Sequence, residues 1–185
     1  MDIPMQTRNN QDFVFRALNK NDAEMLGAFF ESLSQQTRAK FGPHPLTADY
    51  ASSYLCEKLG MDKVSRFVIA SPKDLVGYFI VDFNHYPHEK TRYLSYGIDL
   101  DFSVDPVFAP CIHDQYQSQG LASLAMQALL QILGKTAIRS LVLMGGTQLP
   151  NAVARNFYKK FDFQELGEFY TKHNGLNNVD MRLVL

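Results

Sequence analysis

The stretch QYQSQGLAS, residues 115–123, stands where strand-like residues give way to a long amphipathic helix. It contains a glycine and small polar residues but no acidic side chain, and the nearest acid is Asp114. The first turn of a helix exposes unpaired backbone N–H groups and the positive end of the helix dipole. We therefore expect this entrance to bind an external anion through its amides, with Gly120 allowing the ligand to approach the backbone.

The helix that follows presents one apolar stripe at the i, i+3, i+4, i+7 spacing, while Gln127 and Gln131 face outward. The stripe consists of Leu121, Leu124, Ala125, Ala128, Leu129, Ile132 and Leu133. Charge supports an anion site as well, because no acid lies between Asp114 and Asp162. Five cations fall in that interval: Lys135, Arg139, Arg155, Lys159 and Lys160. The interval carries +5, which leaves −6 for the rest of a chain of net charge −1. A chance local bias on an ordinary helix is the competing interpretation.

Composition predicts one compact domain over residues 1–185, since 46% hydrophobic residues can fill a sizeable core. A net charge of −1 and a pI near 6.5 give no reason to expect nucleic acid or an anionic membrane as a partner. The two cysteines, Cys56 and Cys111, have neither redox nor zinc spacing. No apolar signal segment and no run of about 18 apolar residues is present. We expect a cytoplasmic protein without a membrane anchor.

Strand and helix patterns alternate along the chain. Strands are predicted over 13–18, 65–71, 75–83, 93–100, 104–112, 138–144, 163–170 and 179–185. Helices are predicted over 19–34, 47–60, 120–133 and 151–161, and a loop over 84–92. Pro106 and Pro110 must lie where no backbone N–H is needed for a hydrogen bond between strands. The pattern indicates an α/β (α+β) fold in which helices cover a mixed sheet.

Two motifs resemble the acyl-CoA signature of the GNAT acetyltransferase superfamily. In the first, IHDQYQSQGLA at 112–122, Gln117, Gly120 and Ala122 fit the family's Arg/Gln-x-x-Gly-x-Gly/Ala pattern. The second, NAVARNFYKKFDF at 151–163, is similar to its Asn-x-x-Ala-x-x-hydrophobic-Tyr segment, and FVFRALNKNDAEML at 13–26 resembles its opening strand and helix. Both motifs in order around one strand are more specific than either alone.

The resemblance implies the acyl-CoA N-acyltransferase fold, with a mostly antiparallel central sheet, and acetyl-CoA as co-substrate. It implies that seven backbone amides cradle the pyrophosphate: Gln117, Ser118, Gln119, Gly120, Leu121, Ala122 and Ser123. The strand at Pro110, Cys111 and Ile112 would pair with the pantetheine arm and polarise the thioester carbonyl. Asn151 would contact the arm. Tyr158 matches the tyrosine that protonates the departing thiolate.

The chain departs from the family at two motif positions. Asp114 stands where the family often has proline, and Asp162 replaces the glycine of its closing Gly-Phe. Neither change removes an atom that the chemistry needs.

The general base is less well defined. The strand position where many relatives place a glutamate is Val107 here. Asp105, two residues earlier, is the candidate base, with Asp99 or Asp101 as alternatives if their segment covers the cleft; solvated strand-end aspartates are the commoner case. His113, beside the cofactor strand, and His44, which the resemblance places in a loop lining the acceptor cleft, are candidate substrate contacts.

Cys111 raises the alternative of a covalent nucleophile, although a cysteine pointing into a sheet usually behaves as a small hydrophobe. Motifs for nucleotide enzymes, zinc proteases and serine hydrolases are absent, and no metal cluster is predicted. The expected activity is direct transfer of an acetyl group to a primary amine of a small molecule or peptide. An acyl-CoA-binding sensor or interaction module without turnover is the alternative. By resemblance, two copies would pair through their terminal strands.

Overall fold

A computed structural model describes residues 2–172 and 175–185. The strands are β1 Ile3–Gln6, β2 Asp12–Ala17, β3 Val64–Ala70, β4 Leu75–Asp82, β5 Val107–Ile112, β6 Ser140–Leu143, β7 Thr147–Gln148, β8 Gln164–Thr171 and β9 Leu176–Val184. The helices are α1 Ala23–Ser32, α2 Gln35–Arg38, α3 Ala48–Tyr50, α4 Pro87–Ser95, α5 Leu121–Leu133 and α6 Ala152–Lys159. A π-helical segment, Ala51–Cys56, continues α3.

The chain forms two compact units. The first comprises the residues up to Ile80 together with Pro110–Leu133, and the second comprises Val81–Ala109 and Gly134–Leu185. No helix in the described ranges is long and apolar enough to cross a membrane.

In the first unit the strand order is β1-β2-β3-β4. Strand β2 runs antiparallel to both neighbours, with Phe15 opposite Ile3 and Ile69. Phe13 and Phe15 alternate into the core, as the pattern predicts, and Phe15 meets Phe79 edge to face at a centroid distance of 5.5 Å. Helix α5 buries five of the seven residues of its apolar stripe, leaves Leu124 and Ile132 partly exposed, and exposes Gln127 and Gln131, as expected. Thr47 caps α3 by accepting the Tyr50 amide at 3.2 Å.

In the second unit β5 and β6 are parallel, with Val107 opposite Val142. Strand β9 runs antiparallel to β6, β7 and β8. The core contains Tyr93, Leu100, Phe102, Val107 and Val142. A mixed, mostly antiparallel sheet with helices beside it is therefore confirmed as the fold class.

The predictions for 84–92 and 93–100 were wrong. Helix α4, Pro87–Ser95, crosses both segments and is not a loop followed by a strand. Pro87 lies in its first turn, where no intrahelical amide bond is lost, and Gly97, with φ of 78°, follows its end. Tyr93 is fully buried and its hydroxyl donates to the Met181 carbonyl at 3.0 Å, so tertiary packing stabilises a helix that local pattern did not reveal.

Candidate functional site

Strand β5 continues beyond its parallel partner. Its pairs with β6 are Val107 with Val142 and Phe108 with Leu143, and β6 then ends. The Phe108 carbonyl accepts the Met144 amide at 3.0 Å, so the backbone groups of Phe108 point to the β6 side. Because these directions alternate along a strand, the groups of Pro110 and Ile112 point to that same edge, beyond the last pair. Pro110 falls where its missing N–H breaks no β5–β6 pair.

A short loop joins β5 to α5. It contains the 3₁₀ turn Asp114–Tyr116 and two residues with left-handed backbones, Ser118 with φ of 60° and Gly120 with φ of 82°. Only glycine adopts such angles without steric cost. The loop therefore holds a defined, partly strained path into the helix.

Five successive amides of this loop and first turn, Ser118 to Ala122, donate to no backbone acceptor in the parts of the chain that the structure describes. The amides at the two ends of the predicted set are engaged internally. Gln117 donates to the Asp114 carbonyl at 3.3 Å, and Ser123 donates to the Gly120 carbonyl at 3.0 Å. Of the seven amides predicted to form the cradle, five therefore have no backbone acceptor, and these five lie at the positive end of α5.

Asp114, the acid nearest to the entrance, is occupied by other donors. Its carboxylate accepts the Ser34 amide at 2.9 Å, the Ser34 hydroxyl at 2.6 Å and the Thr37 hydroxyl at 2.6 Å. Desolvation raises the pKa of Asp114, but these hydrogen bonds outweigh it and hold the pKa at about 2. The carboxylate is therefore charged but satisfied.

The cations of the acid-free interval are largely paired. Within the second unit Arg155 and Lys159 contact Glu165 at 2.6 Å and 3.0 Å, and Arg139 contacts Asp105. The hydrogen bond from Arg155, followed by that from Lys159, lowers the pKa of Glu165 to about 2 against desolvation. The amides and dipole at the start of α5, rather than this excess of cations, are the features that favour an anion.

Asp105 does not suit the role of general base. It is fully buried, accepts the Ser140 hydroxyl at 2.5 Å and the Asp101 amide at 3.1 Å, and pairs with Arg139. Burial raises its pKa, but these contacts more than compensate and lower it. A buried carboxylate that is engaged by several donors and has a lowered pKa is a weak base, so we do not retain Asp105.

The alternatives at Asp99 and Asp101 lie at the surface. Asp99 is 74% exposed and pairs with Lys90 at 2.9 Å. Asp101 is exposed and accepts the Ser103 hydroxyl at 2.7 Å, and hydrogen bonds from Ser103 lower its pKa. Both carboxylates have local partners, and neither lies in a buried pocket.

His44 has a defined tautomer. Nδ1 lies 2.8 Å from the Pro45 carbonyl, which can only accept, so Nδ1 carries the proton. Nε2, at 3.3 Å from the Tyr78 hydroxyl, then accepts from it. Burial lowers the pKa of His44 to about 4, so the ring is neutral near pH 7. It stacks on Tyr50 with centroids 5.0 Å apart.

His113 begins the loop and accepts the Gln115 amide through Nδ1 at 3.2 Å. Its ring lies 5.9 Å from that of Tyr116, and both line a cleft of about 600 Å³ beside Phe29 of α1. Because Nδ1 accepts, the ring proton is on Nε2, which can donate into the cleft.

Cys111 is buried within β5. Burial raises the pKa of its thiol to about 12. A thiol this difficult to ionise is a poor nucleophile, which argues against the covalent alternative.

The second unit contains the other motif residues. Asn151 caps α6 by accepting the Ala154 amide at 3.2 Å. Tyr158 is buried on α6, and its ring lies 5.3 Å from that of Phe163. Asp162, at the glycine position of the motif, has φ of 64°, so the expected glycine would fit this backbone without strain.

Comparison with known proteins agrees with this arrangement. Residues 27–163, more than half of the chain, match the model of the acetyltransferase (GNAT) family. The chain belongs to the GNAT acetyltransferase family. No match was found among curated proteins.

Solved GNAT structures share the fold at low sequence identity. The GNAT domain of S. lividans PAT is 15% identical with a TM-score of 0.72, covering 100% of this chain and 97% of its own. Ribosomal-protein-S5-alanine acetyltransferase from Vibrio fischeri is 12% identical with a TM-score of 0.73, covering 99% and 97%. RimL, a ribosomal L7/L12 alpha-N-protein acetyltransferase in complex with coenzyme A, is 13% identical with a TM-score of 0.70, covering 100% and 98%.

Sequence reasoning missed the partners of Asp114 in this GNAT chain. Ser34 and Thr37 lie about 80 residues away, and nothing local to either segment indicates the contact. The departure from the family's proline at this position was the available signal. Across residues 2–172 and 175–185, no group of three or more His, Cys, Asp or Glu side chains is placed to hold a metal ion.

Proposed function

We propose that this GNAT protein transfers the acetyl group of acetyl-CoA to a primary amine by direct attack. The observation that carries the proposal is the run of five amides, Ser118 to Ala122, without backbone acceptors at the start of α5. Phosphate oxygens are the ligands that such a helix start binds best. The cradle therefore takes the pyrophosphate of the cofactor.

The exposed edge of β5 takes the pantetheine arm. Pro110 offers a carbonyl and Ile112 offers an N–H along that edge, and both residues are partly exposed whereas Cys111 is buried. The Ile112 carbonyl is already occupied by Gln117 Nε2 at 3.0 Å. Pro110 has no N–H. The Ile112 N–H on the same edge therefore polarises the thioester carbonyl and stabilises the oxyanion that develops in the attack.

In the chemical step the amine nitrogen bonds to the thioester carbon and the C–S bond breaks. Tyr158 protonates the departing thiolate, and Asn151 contacts the arm. With Asp105 engaged in ion pairs and the acceptor nitrogens of His44 and His113 already occupied, water removes the proton of the amine. His113, at the loop, and His44, on the segment before α3, are the candidate substrate contacts.

A binding module without turnover is the second candidate. It is favoured by Val107 at the family's glutamate position and by the ion pairs that engage Asp105. Turnover with a panel of peptide N-termini, lysine, polyamines and amino sugars separates the two candidates. We also propose a single domain over residues 1–185, a cytoplasmic location, no nucleic acid partner, and pairing of two copies through the terminal strands.

The first test is calorimetric binding of acetyl-CoA, dephospho-CoA and ATP to the wild type and to Gly120→Asp. We expect micromolar acetyl-CoA affinity in the wild type and a loss of about tenfold or more in the variant, because a carboxylate then faces the pyrophosphate. Gly120→Asn is the matched control, since it has the same size without the charge and asparagine tolerates the left-handed backbone. Equal loss in both variants would reject the anion site.

The second test concerns Tyr158 as general acid. Tyr158→Phe should lower kcat by about 100-fold and leave the KM for acetyl-CoA nearly unchanged, since only proton transfer is lost. Tyr170→Phe, at an exposed tyrosine of the same unit, is the control. Full activity in Tyr158→Phe would remove Tyr158 from the proposed mechanism.

A further inference from the structure

The cofactor loop is fastened to the beginning of α2. We call this set of contacts the latch, formed by Asp114 and Gln117 on the loop, by Ser34, the N-cap residue of α2, and by Thr37 within α2. Asp114 accepts three hydrogen bonds, from the Ser34 amide, the Ser34 hydroxyl and the Thr37 hydroxyl, at 2.6–2.9 Å. Gln117 Nε2 donates to Thr37 Oγ1 at 3.3 Å and to the Ile112 carbonyl at 3.0 Å.

Thr37 has a dual role in the latch. Its hydroxyl donates to Asp114 and accepts from Gln117, so one side chain holds the loop at the first residue of the 3₁₀ turn and directly after its end. Ser34 in addition caps α2 by accepting the Thr37 amide at 3.2 Å, which fixes the two donors relative to each other. The latch is thus a connected network rather than two separate contacts.

The loop needs such support because its path is strained and its apolar anchoring is slight. Ser118 is held with φ of 60° immediately after the second tether, Gln117. Tyr116 contributes an edge contact with Phe13 at 5.7 Å, while Gln115, Gln117, Ser118 and Gly120 are exposed. A strained backbone persists only where its surroundings determine it.

From this we infer that Asp114 is a positioning residue for the cofactor: through Ser34 and Thr37 it holds the amides of Ser118 to Ala122 in the conformation that binds a pyrophosphate. The inference rests on the proposed function. If the loop is competent only part of the time, the apparent dissociation constant rises in inverse proportion to the competent fraction. Charged hydrogen bonds are strong enough for the loss of three to lower that fraction about tenfold.

The test separates the pyrophosphate from the thioester arm. Calorimetry would measure the Kd of acetyl-CoA for the wild type, Asp114→Ala, Asp114→Asn and Thr37→Val. Transfer kinetics would use S-acetylpantetheine, which carries the arm without the pyrophosphate. We expect about tenfold weaker acetyl-CoA binding in Asp114→Ala, a smaller loss of about threefold in Thr37→Val, which leaves the two Ser34 bonds in place, and less than about twofold change in kcat/KM with S-acetylpantetheine.

Thr37→Val is the more informative variant, because Thr37 lies outside the loop and the change preserves its shape. A double-mutant cycle of Asp114→Asn with Thr37→Val should be non-additive, since both remove the same contact. Asp74→Ala, at an exposed acid of the same unit, is the charge control. If Asp114→Ala fails to fold, Thr37→Val and Asp114→Asn still decide the question.

The outcomes distinguish the two proposals. Wild-type binding of acetyl-CoA that persists unchanged in the latch variants would overturn the latch and leave the proposed function standing. If the latch variants lost acetyl-CoA affinity and kcat/KM with S-acetylpantetheine by equal factors, Asp114 would only support the structure in general and would not position the pyrophosphate site. Absence of acetyl-CoA binding in the wild type would overturn the proposed function and the latch together.

Discussion

Ser118 combines a strained backbone conformation with a backbone amide in the proposed pyrophosphate site. It is exposed and adopts φ of 60°, which side chains with a Cβ rarely do. Gly120, two residues later, adopts φ of 82°, and a Cβ built there would have nothing within 4 Å. Ser118 and Gly120 differ in their side chains, but both adopt a left-handed backbone conformation.

Replacing Ser118 with glycine should therefore raise the free energy of unfolding by about 0.5–1 kcal/mol. The left-handed strain of about 1–2 kcal/mol is removed, and the greater entropy of glycine in the unfolded chain offsets part of the gain. Denaturant unfolding measures the change. Gly120→Ala is the reciprocal variant and should destabilise, because it introduces the strain without a clash. A less stable Ser118→Gly would show that the hydroxyl compensates the strain.

Asp162 also has a left-handed backbone, with φ of 64°, at the position where the family motif has glycine. Aspartate tolerates this region better than most residues, which explains why the departure from the family is compatible with the fold. Sequence could mark the position as unusual. It could not show that the unusual feature is a backbone angle.

Individual elements were predictable where their own residues determine them. Helix α5 followed from its apolar spacing, and its predicted beginning at residue 120 lies one residue before the observed beginning at Leu121. Helix α4 was not predictable, because its stability comes from distant contacts. Arg92 pairs with the fully buried Asp180 at 2.9 Å and lies over the Phe169 ring at 3.8 Å, on strands far away in sequence.

The candidate site likewise has features that the sequence could predict and features that it could not. Its amides could be located from the pattern 115–123, since a helix start exposes N–H groups whatever the rest of the fold does. Its carboxylates could not be assigned, because a carboxylate's role depends on its partners. Asp105 resembled a base in the sequence and is an ion-pair residue in the structure, whereas Asp114 resembled tolerated variation and fastens the loop.

At the scale of the whole molecule, hydrogen-bonded carboxylates in both units make the free energy of unfolding depend on pH in the acid range. Asp114 in the first unit and Glu165 in the second each have a folded pKa of about 2, below the ordinary value near 4. The folded state then binds fewer protons than the unfolded state. Their contribution is fully present above about pH 4.5 and is lost as the pH falls through 2.

We therefore expect the free energy of unfolding, measured by urea titration, to be level from about pH 7 to pH 5 with respect to these groups and to fall below pH 4. Both are partly exposed, so solvent screening limits each to about 1 kcal/mol. Asp114→Asn and Glu165→Gln should each lower stability at pH 7 and flatten the acid limb, because the variant side chain no longer titrates. An acid limb as steep in both variants as in the wild type would assign the loss to other carboxylates, Asp105 foremost, whose pKa its hydrogen bonds also lower against burial.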